Sequence, residues 1–187
     1  MGEAPVLDPD GASEPVSHPD HTLPIAPPQI AWQIVELVDC LCGMLEVEGG
    51  GRPCWCGAYP GASVSWEFCT ECQGGSCGMG YVRPAGIFPY TTFPFPETDV
   101  HCASPLAWTI EVGALRCVPQ PADGEVLSPA DMLDVTITTM LDARAIYKAI
   151  KCCDAIPGAA IQFYTPVGPE GGCVGGFWTA FLDVPEF

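Results

Sequence analysis

The chain contains 187 residues with 48% hydrophobic content, and its 23 Asp and Glu residues outnumber six Lys and Arg, giving a formal net charge of -17. This length fits one domain with a real hydrophobic core. Nucleic-acid binding depends on Lys and Arg that displace counterions, so the charge argues against a repressor or a nuclease. The charge is compatible with DNA that passes close by without adhering, because like charges repel, and equally with acidity that confers solubility alone.

The first 28 residues differ from the rest of the chain. They include seven prolines and five acidic residues but no Lys or Arg, and their apolar surface is too small to offset the entropy of ordering. We expect either a disordered acidic arm or an arm that packs along a neighbouring subunit. The side chains that would anchor such packing are Val6, Leu7, Leu23 and Ile25.

Targeting signals are not found in the sequence. The N-terminus lacks the basic and apolar regions of a secretory signal, and no apolar run reaches the length of about 18 residues that a membrane-spanning helix needs. We therefore expect synthesis in a cytoplasm and no contact with a membrane.

The first element is predicted to be a helix from Ile30 to Leu45. Apolar residues recur there at helical spacing, Pro27 and Pro28 suit a helix entry, and the run Gly49 to Gly51 suits its end. A strand is predicted from Ala62 to Phe68, with Val64, Trp66 and Phe68 on one side. Gly78 to Arg83 is a weaker candidate for its hairpin partner.

The segment from Ile87 to Pro105 contains four prolines and is predicted to be a long loop. Long loops inside compact domains are often functional or contact surfaces. Four aromatic residues of this loop could dock a partner or cover the core of the domain itself: Phe88, Tyr90, Phe93 and Phe95. A long strand is then predicted from Leu106 to Val118, with Trp108, Ile110 and Val112 on one face.

A second helix is predicted from Ser128 to Lys151, with Ser128 as its cap and Pro129 at its first position. Its polar edge is expected to be Asp131, Asp134, Thr138 and Asp142. Its sheet-covering face is expected to include Leu133, Ile137, Met140 and Leu141. Two strands should follow, from Ala159 to Tyr164 and from Cys173 to Asp183, with Gly175 and Gly176 marking a bulge or a close backbone approach.

These elements predict an α+β fold: a mostly antiparallel β-sheet with two α-helices packed on one face. We expect one domain over residues 29–187 after the arm of residues 1–28. The other face of the sheet would have to contact loops or a neighbour.

The twelve cysteines allow three interpretations. A zinc site could use the thiolates of Cys54, Cys56, Cys69 and Cys72, although one residue between the first pair is fewer than usual. Disulfides would form once a protein leaves a reducing cytoplasm; the candidates are Cys40, Cys42, Cys54, Cys56, Cys69, Cys117, Cys152, Cys153 and Cys173. Buried free thiols that act as small hydrophobes are the third interpretation.

Little in the sequence supports catalysis. A cysteine nucleophile needs a base placed against it, and outside the acidic arm the sequence offers only His101, which is adjacent to Cys102. The glycine-rich stretch from Gly168 to Gly176 lacks the Lys-Ser or Lys-Thr pair of a phosphate-binding loop. We therefore expect a protein that is not an enzyme and that has no cofactor.

The order and spacing of several segments resemble the tail-terminator proteins of actinobacteriophages. They are the opening helix, the Trp66 segment, the stretch Trp108-Thr-Ile-Glu-Val-Gly-Ala-Leu-Arg-Cys-Val-Pro, the helix start at Ser128, and the closing segment with Gly-Gly-Cys-Val-Gly-Gly. The resemblance covers about four-fifths of the chain. It implies a sheet-and-helix fold in a structural protein of the virion, located at the interface between head and tail.

The function implied by this resemblance is assembly by binding geometry alone. Tail terminators of long-tailed phages form a hexameric ring that caps the tail tube, ends its polymerisation and joins the head connector. The implied partners are other copies of the chain, the major tail tube protein and a head-completion or stopper protein, with DNA passing through the ring unbound. Two alternatives stay open: another connector, such as a stopper protein, and a zinc-binding interaction module.

Overall fold

A computed structural model describes residues 29–64, 77–99, 101, 104–119 and 126–184. The arm of residues 1–28 lies outside the described residues, and so does the Trp66 segment. Within the described residues, two helices and six strands follow one another in the order α1 (Gln29–Val47), β1 (Trp55–Ala58), β2 (Met79–Thr92), β3 (Phe95–Pro96), β4 (Leu106–Cys117), α2 (Pro129–Cys152), β5 (Ala160–Glu170) and β6 (Cys173–Val184).

The strands form one mixed sheet in the order β1-β2-β4-β6-β5, with β3 paired to β2 alone. The β1–β2 pair is parallel, and the other pairs are antiparallel. The centre of the sheet is the twelve-residue ladder between β4 and β6, which runs without a register shift from Leu106 opposite Val184 to Cys117 opposite Cys173. The α+β class and the mostly antiparallel sheet agree with the sequence.

The main core lies between the helices and one face of the sheet. Alternate residues of the strands, including Val82, Ile110, Val112 and Leu182, point to this face and are buried together with Leu37, Leu41 and Leu45 of α1 and Ala145, Ile146 and Ala149 of α2. Both helices therefore cover the same face of the sheet. A smaller cluster lies on the opposite face and contains Met79, Tyr81, Leu115 and Cys173.

The start of α2 is determined locally. The Ser128 side chain accepts a hydrogen bond from the Asp131 backbone amide, and the Asp131 side chain accepts one from the Ser128 backbone amide. This reciprocal capping box, with Pro129 at the first position, satisfies donors that the helix itself leaves free. The sequence prediction of this helix start is correct.

The predicted faces of α2 are wrong. Asp142, expected on a polar edge, is 1% exposed, whereas Leu133, Ile137 and Met140, expected to cover the sheet, are 57%, 46% and 67% exposed. The reason is that α1 and the sheet contact the second half of α2, where Ala145, Ile146, Ala149 and Ile150 form the buried face. The first half carries its apolar residues on the opposite side of the helix.

The prediction of a loop from Ile87 to Pro105 is also wrong for the first part of this segment. β2 continues as a strand through Thr92, with Pro84 opposite Ile110 and Pro89 opposite Leu106 of β4. Proline is tolerated in a strand where no second neighbour needs its missing amide. That condition holds here because β1 pairs with β2 only as far as Val82.

The strand predicted from Ala62 to Phe68 falls mostly outside the described residues, and its described part, residues 62–64, is not a strand. Gly175 and Gly176 in β6 show a close backbone approach. A Cβ atom on Gly176 would lie 2.5 Å from the Thr165 carbonyl oxygen and 2.5 Å from the Tyr164 ring. In the pair that β6 forms with β5, the register shifts lie in β5, where they follow Ile161 and Val167.

Candidate functional site

A buried ion pair connects the end of β4 to the middle of α2. The Arg116 guanidinium donates to both carboxylate oxygens of Asp142, at 2.7 Å from Nε and 2.9 Å from Nη2. Asp142 also accepts from the Gly50 amide at 2.8 Å, and Arg116 Nη2 donates to the Gly51 carbonyl at 2.8 Å. This network, which we call the Arg116–Asp142 clamp, joins β4, α2 and the glycine turn after α1.

The clamp has the geometry of a structural element. Arg116 and Asp142 are 7% and 1% exposed, and the forked guanidinium satisfies the carboxylate in a bidentate arrangement. A cleft of about 180 Å³ adjoins it, lined by Arg116, Cys117, Pro119, Asp131, Asp134, Val135 and Thr138. Within this cleft Arg116 is already paired with Asp142. The cleft therefore presents the carboxylates of Asp131 and Asp134, and its described residues include no nucleophile placed against a base.

Helix α1 is held by two disulfide bonds. Cys40 is bonded to Cys153 after the end of α2, and Cys42 is bonded to Cys56 in β1, with Cα–Cα distances of 6.3 and 6.0 Å. Cys77 before β2 is bonded to Cys117 at the end of β4. Cys54 and Cys173 are disulfide-bonded as well. Most of the described cysteines therefore form disulfide bonds.

Two details of the cysteine predictions need correction. Cys152, a candidate for a disulfide, is a free and exposed thiol, because its neighbour Cys153 takes the position facing Cys40. Cys77, left out of the candidates, is bonded to Cys117. Of the remaining candidates, Cys69 lies outside the described residues.

The zinc alternative is not supported by the residues that can be placed. Cys54 and Cys56 are both disulfide-bonded, and a disulfide sulfur cannot act as the thiolate ligand that zinc requires. Cys69 and Cys72 lie outside the described residues. Among the residues that the structure describes, no group of three or more His, Cys, Asp or Glu is arranged to hold a metal ion.

Three of the four aromatic residues predicted as partner contacts pack within the domain. Phe88 lies edge-on to Phe181 at 5.2 Å between ring centroids, and Phe93 lies edge-on to Tyr90 at 5.6 Å. Phe95 in β3 is 68% exposed and is the member of the set that a partner could contact.

Tyr90 is anchored through its hydroxyl. The group donates a 2.5 Å hydrogen bond to Asp183 Oδ1. This hydrogen bond, followed by burial and the carboxylate charge, raises the pKa of Tyr90 to about 12. Burial, followed by the Asp142 charge, likewise raises the pKa of Tyr164 to about 12. Both phenols are therefore neutral over the physiological pH range.

The second face of the sheet carries another ion pair. Arg83 and Glu111 lie opposite each other on β2 and β4 with a 2.7 Å hydrogen bond, and both side chains are largely buried. Arg83 also donates to the Gly61 carbonyl at 2.9 Å. Burial raises the pKa of Tyr81, which lies on the same face. These contacts hold residues near Gly61 against the sheet.

Sequence reasoning missed the Arg116–Asp142 clamp. A signal was present, because Asp142 interrupts an apolar stretch of α2 and Arg116 ends an apolar strand. Two opposite charges that each fall among apolar residues of a buried segment are best satisfied by pairing with each other. Helical spacing alone could not show this pair, since it assigned Asp134 and Asp142 to the same polar edge of the helix.

A scan against protein-family models finds no match to the chain, and a comparison with curated proteins also finds no similar sequence. Neither described helix combines the length and apolarity that crossing a membrane requires.

Proposed function

We propose that the protein is a structural component of a phage virion, a tail terminator that forms a hexameric ring on the tail tube. The ring ends polymerisation of the tube and binds the head-completion or stopper protein. Heterologous contacts between identical subunits close into a ring when the rotation between them fits, so no catalytic residue is required.

The observation that carries the proposal is the order of elements. A helix, a sheet built around β4, a capped helix and a closing β-hairpin follow one another, and this is compatible with the sheet-and-helix fold that the sequence resemblance to tail terminators implies. The acidic surface gives further support, because a ring around a DNA channel must not bind DNA tightly. The disulfide bonds suit a particle that works outside the reducing cytoplasm.

A stopper protein is the alternative within the same assembly. A stopper is more naturally a small barrel of strands, and an open sheet with two helices on one face favours the terminator. The zinc-binding module has less support because the bond between Cys42 and Cys56 removes one of its ligands.

The proposal can be tested by tube assembly. The major tail tube protein of the same phage would be polymerised with and without this protein, and tube lengths would be measured by negative-stain electron microscopy. We expect a ring at one end of each tube and a narrower length distribution when the protein is present. Tubes that grow equally long, with ends that lack added density, would contradict the proposal.

The matched control is the Asp142→Ala variant, in which the clamp is broken and the domain is destabilised. This variant should fail to cap tubes at temperatures at which it is unfolded. Capping by both proteins at such a temperature would indicate that tube ends bind the chain without its fold.

A further inference from the structure

The solvent face of α2 carries an apolar stripe that no described element covers. Leu133, Ile137 and Met140 are 57%, 46% and 67% exposed, and they lie opposite the buried face of this helix. Exposed large apolar residues are common singly, but a contiguous stripe of them marks an interaction surface.

The stripe has the spacing of a coiled-coil seam. Its members are separated by four and three residues in alternation: Leu133, Ile137, Met140, Arg144, Tyr147 and Lys151. This alternation places all six side chains along one line of an α-helix. The first three are apolar, and the later ones carry long or aromatic side chains that can also contact an apolar surface.

The neighbouring helix leaves this stripe free. The turn that follows α1 contacts the middle of α2, through the hydrogen bond from the Gly50 amide to Asp142, and Glu48 forms an ion pair with Lys148. The first half of α2 therefore extends beyond the end of α1. The cleft beneath this half is lined by residues of the opposite side of the helix, such as Asp131 and Val135.

We propose that the stripe binds the same stripe of a second copy of this chain, with the two α2 helices antiparallel about a two-fold axis near residue 142. In this register Ile137 of one copy faces Tyr147 of the other. Met140 faces the aliphatic part of Arg144, and Leu133 faces that of Lys151. Such an interface is isologous, so each contact occurs twice.

Charge complementarity favours a second copy as the occupant. Asp134 and Lys148 each directly follow a member of the stripe and occupy the same flanking position of the seam. In an antiparallel pair these flanking positions come together, so Asp134 of each copy meets Lys148 of the other. The Lys148 ammonium, which pairs with Glu48 of its own chain, is partly exposed and can contact a second carboxylate. The helix thus has an acidic end, an apolar middle and a basic end, a pattern that complements itself when reversed.

The distribution of basic residues strengthens this argument. Two copies of a chain with a net charge of -17 repel each other over most of their surfaces. Of the six Lys and Arg, Arg83 and Arg116 are buried in ion pairs, and three of the other four lie on α2: Arg144, Lys148 and Lys151. Helix α2 is therefore the surface on which two acidic copies can approach each other.

The expected dimer is weak and reversible. The apolar part of the stripe covers about two turns, far less than the roughly 800 Å² per partner that standard interfaces bury. The two-fold contact does not depend on the proposed ring, because a closed ring uses heterologous surfaces.

Sedimentation velocity over a concentration series tests the proposal. Wild type should show reversible self-association, and Ile137→Asp should raise its Kd by about tenfold or more, because a carboxylate would be placed against the Tyr147 ring of the other copy. The control is Phe163→Asp, which makes the same kind of change at a residue that is 64% exposed on β5. Wild type that stays monomeric at every concentration, or an Ile137→Asp variant that associates like wild type, would overturn the proposal.

A charge exchange tests the orientation of the two helices. Asp134→Lys should weaken association because it places two cations opposite each other, and adding Lys148→Asp should restore it. Asp154→Lys is the matched control, since it changes the net charge equally at an exposed site beyond α2. Failure of the double variant to associate better than Asp134→Lys would exclude the antiparallel register. Circular dichroism on each variant verifies that the fold is intact.

Discussion

At the scale of single residues, stability depends on a few polar groups that are buried together. Arg116 and Asp142 form hydrogen bonds with each other and with the backbone of the glycine turn, so neither charge is isolated in the core. A buried pair of this kind adds little compared with an apolar pair of the same shape, but it is costly to break. Its role is to fix where the turn after α1 meets α2.

Replacement of Asp142 by alanine should lower the free energy of unfolding by about 3 to 5 kcal/mol, because Arg116 would stay buried without a counter-charge. Urea denaturation monitored by circular dichroism measures this change. Asp134→Ala on the exposed side of the same helix is the control and should change stability by less than about 0.5 kcal/mol. Equal effects of the two substitutions would show that the clamp is not buried in solution.

The Tyr90 hydroxyl should make stability depend on pH in the alkaline range. Its pKa is raised from 10.0 to about 12 in the folded protein, so its contribution is fully present below pH 10 and is lost as the pH rises through 12. Tyr90→Phe removes this contribution, and the difference in stability between wild type and variant should therefore shrink from pH 9 to pH 12.

Tyr164 also has a pKa of about 12, but it is present in both proteins, so its contribution cancels in their difference. Thermal unfolding of wild type and Tyr90→Phe should be recorded at each pH. A constant difference between wild type and Tyr90→Phe across the range would disprove the hydrogen bond to Asp183.

At the scale of elements, the two helices differ in how they are held. Helix α1 lacks charges that would stabilise its ends, because its first turn has no acidic residue and its last turn has no basic residue. It is fixed instead by apolar packing and by the disulfides of Cys40 and Cys42. Helix α2 begins with a complete capping box and uses its second half for the core. Its first half can therefore serve a contact outside the domain.

Removal of the Cys40–Cys153 disulfide should lower the free energy of unfolding by about 2 to 5 kcal/mol, since a native cross-link that closes a long loop restricts the unfolded chain. The two cysteines are separated by 113 positions in sequence. The substitution Cys40→Ser with Cys153→Ser should be made in a Cys152→Ser background, so that the adjacent thiol cannot form a substitute bond.

The Cys152→Ser protein is the reference for this measurement by denaturant unfolding without reductant. It should be as stable as wild type because Cys152 is exposed and free. A triple variant as stable as this reference would show that the bond is absent in solution.

At the scale of the whole molecule, the sheet separates two different surfaces. One face is closed by both helices, while the other carries a small cluster around Tyr81 and the ion pair between Arg83 and Glu111. Phe95 projects from β3, which pairs only with β2. In the proposed ring, such a projecting aromatic residue is available to a neighbour or to the tail tube.

If Phe95 contacts a partner, Phe95→Ser should reduce joining of tails to heads by tenfold or more, as loss of a central aromatic contact typically does. Stability should not change, because the side chain is 68% exposed. Phage titre after complementation in trans measures joining, and Phe163→Ser is the control with equal loss of exposed aromatic surface. Full titre with Phe95→Ser would remove this residue from the interface.

The sequence by itself determined the features that depend on neighbours along the chain. Ser128, Pro129 and Asp131 specify the start of α2 because a helix cap is a local hydrogen-bonding pattern. Apolar periodicity located α1, β4 and β6 to within two residues at each end, and their order gave the α+β class. A hydrophobic pattern, however, indicates only that one side of an element is apolar, and not which other element that side contacts.

The tertiary structure alone decided which surfaces and partners these elements use. Asp142 is buried because Arg116 from a distant strand reaches it, and the Leu133 side of α2 is exposed because the core packs against the opposite side of this helix. Pro84 and Pro89 belong to a strand because β1 is too short to require their amides. The partners of Cys40 and Cys42 follow from where α1 lies. All of these depend on contacts between residues far apart in the chain, which spacing along the sequence does not encode.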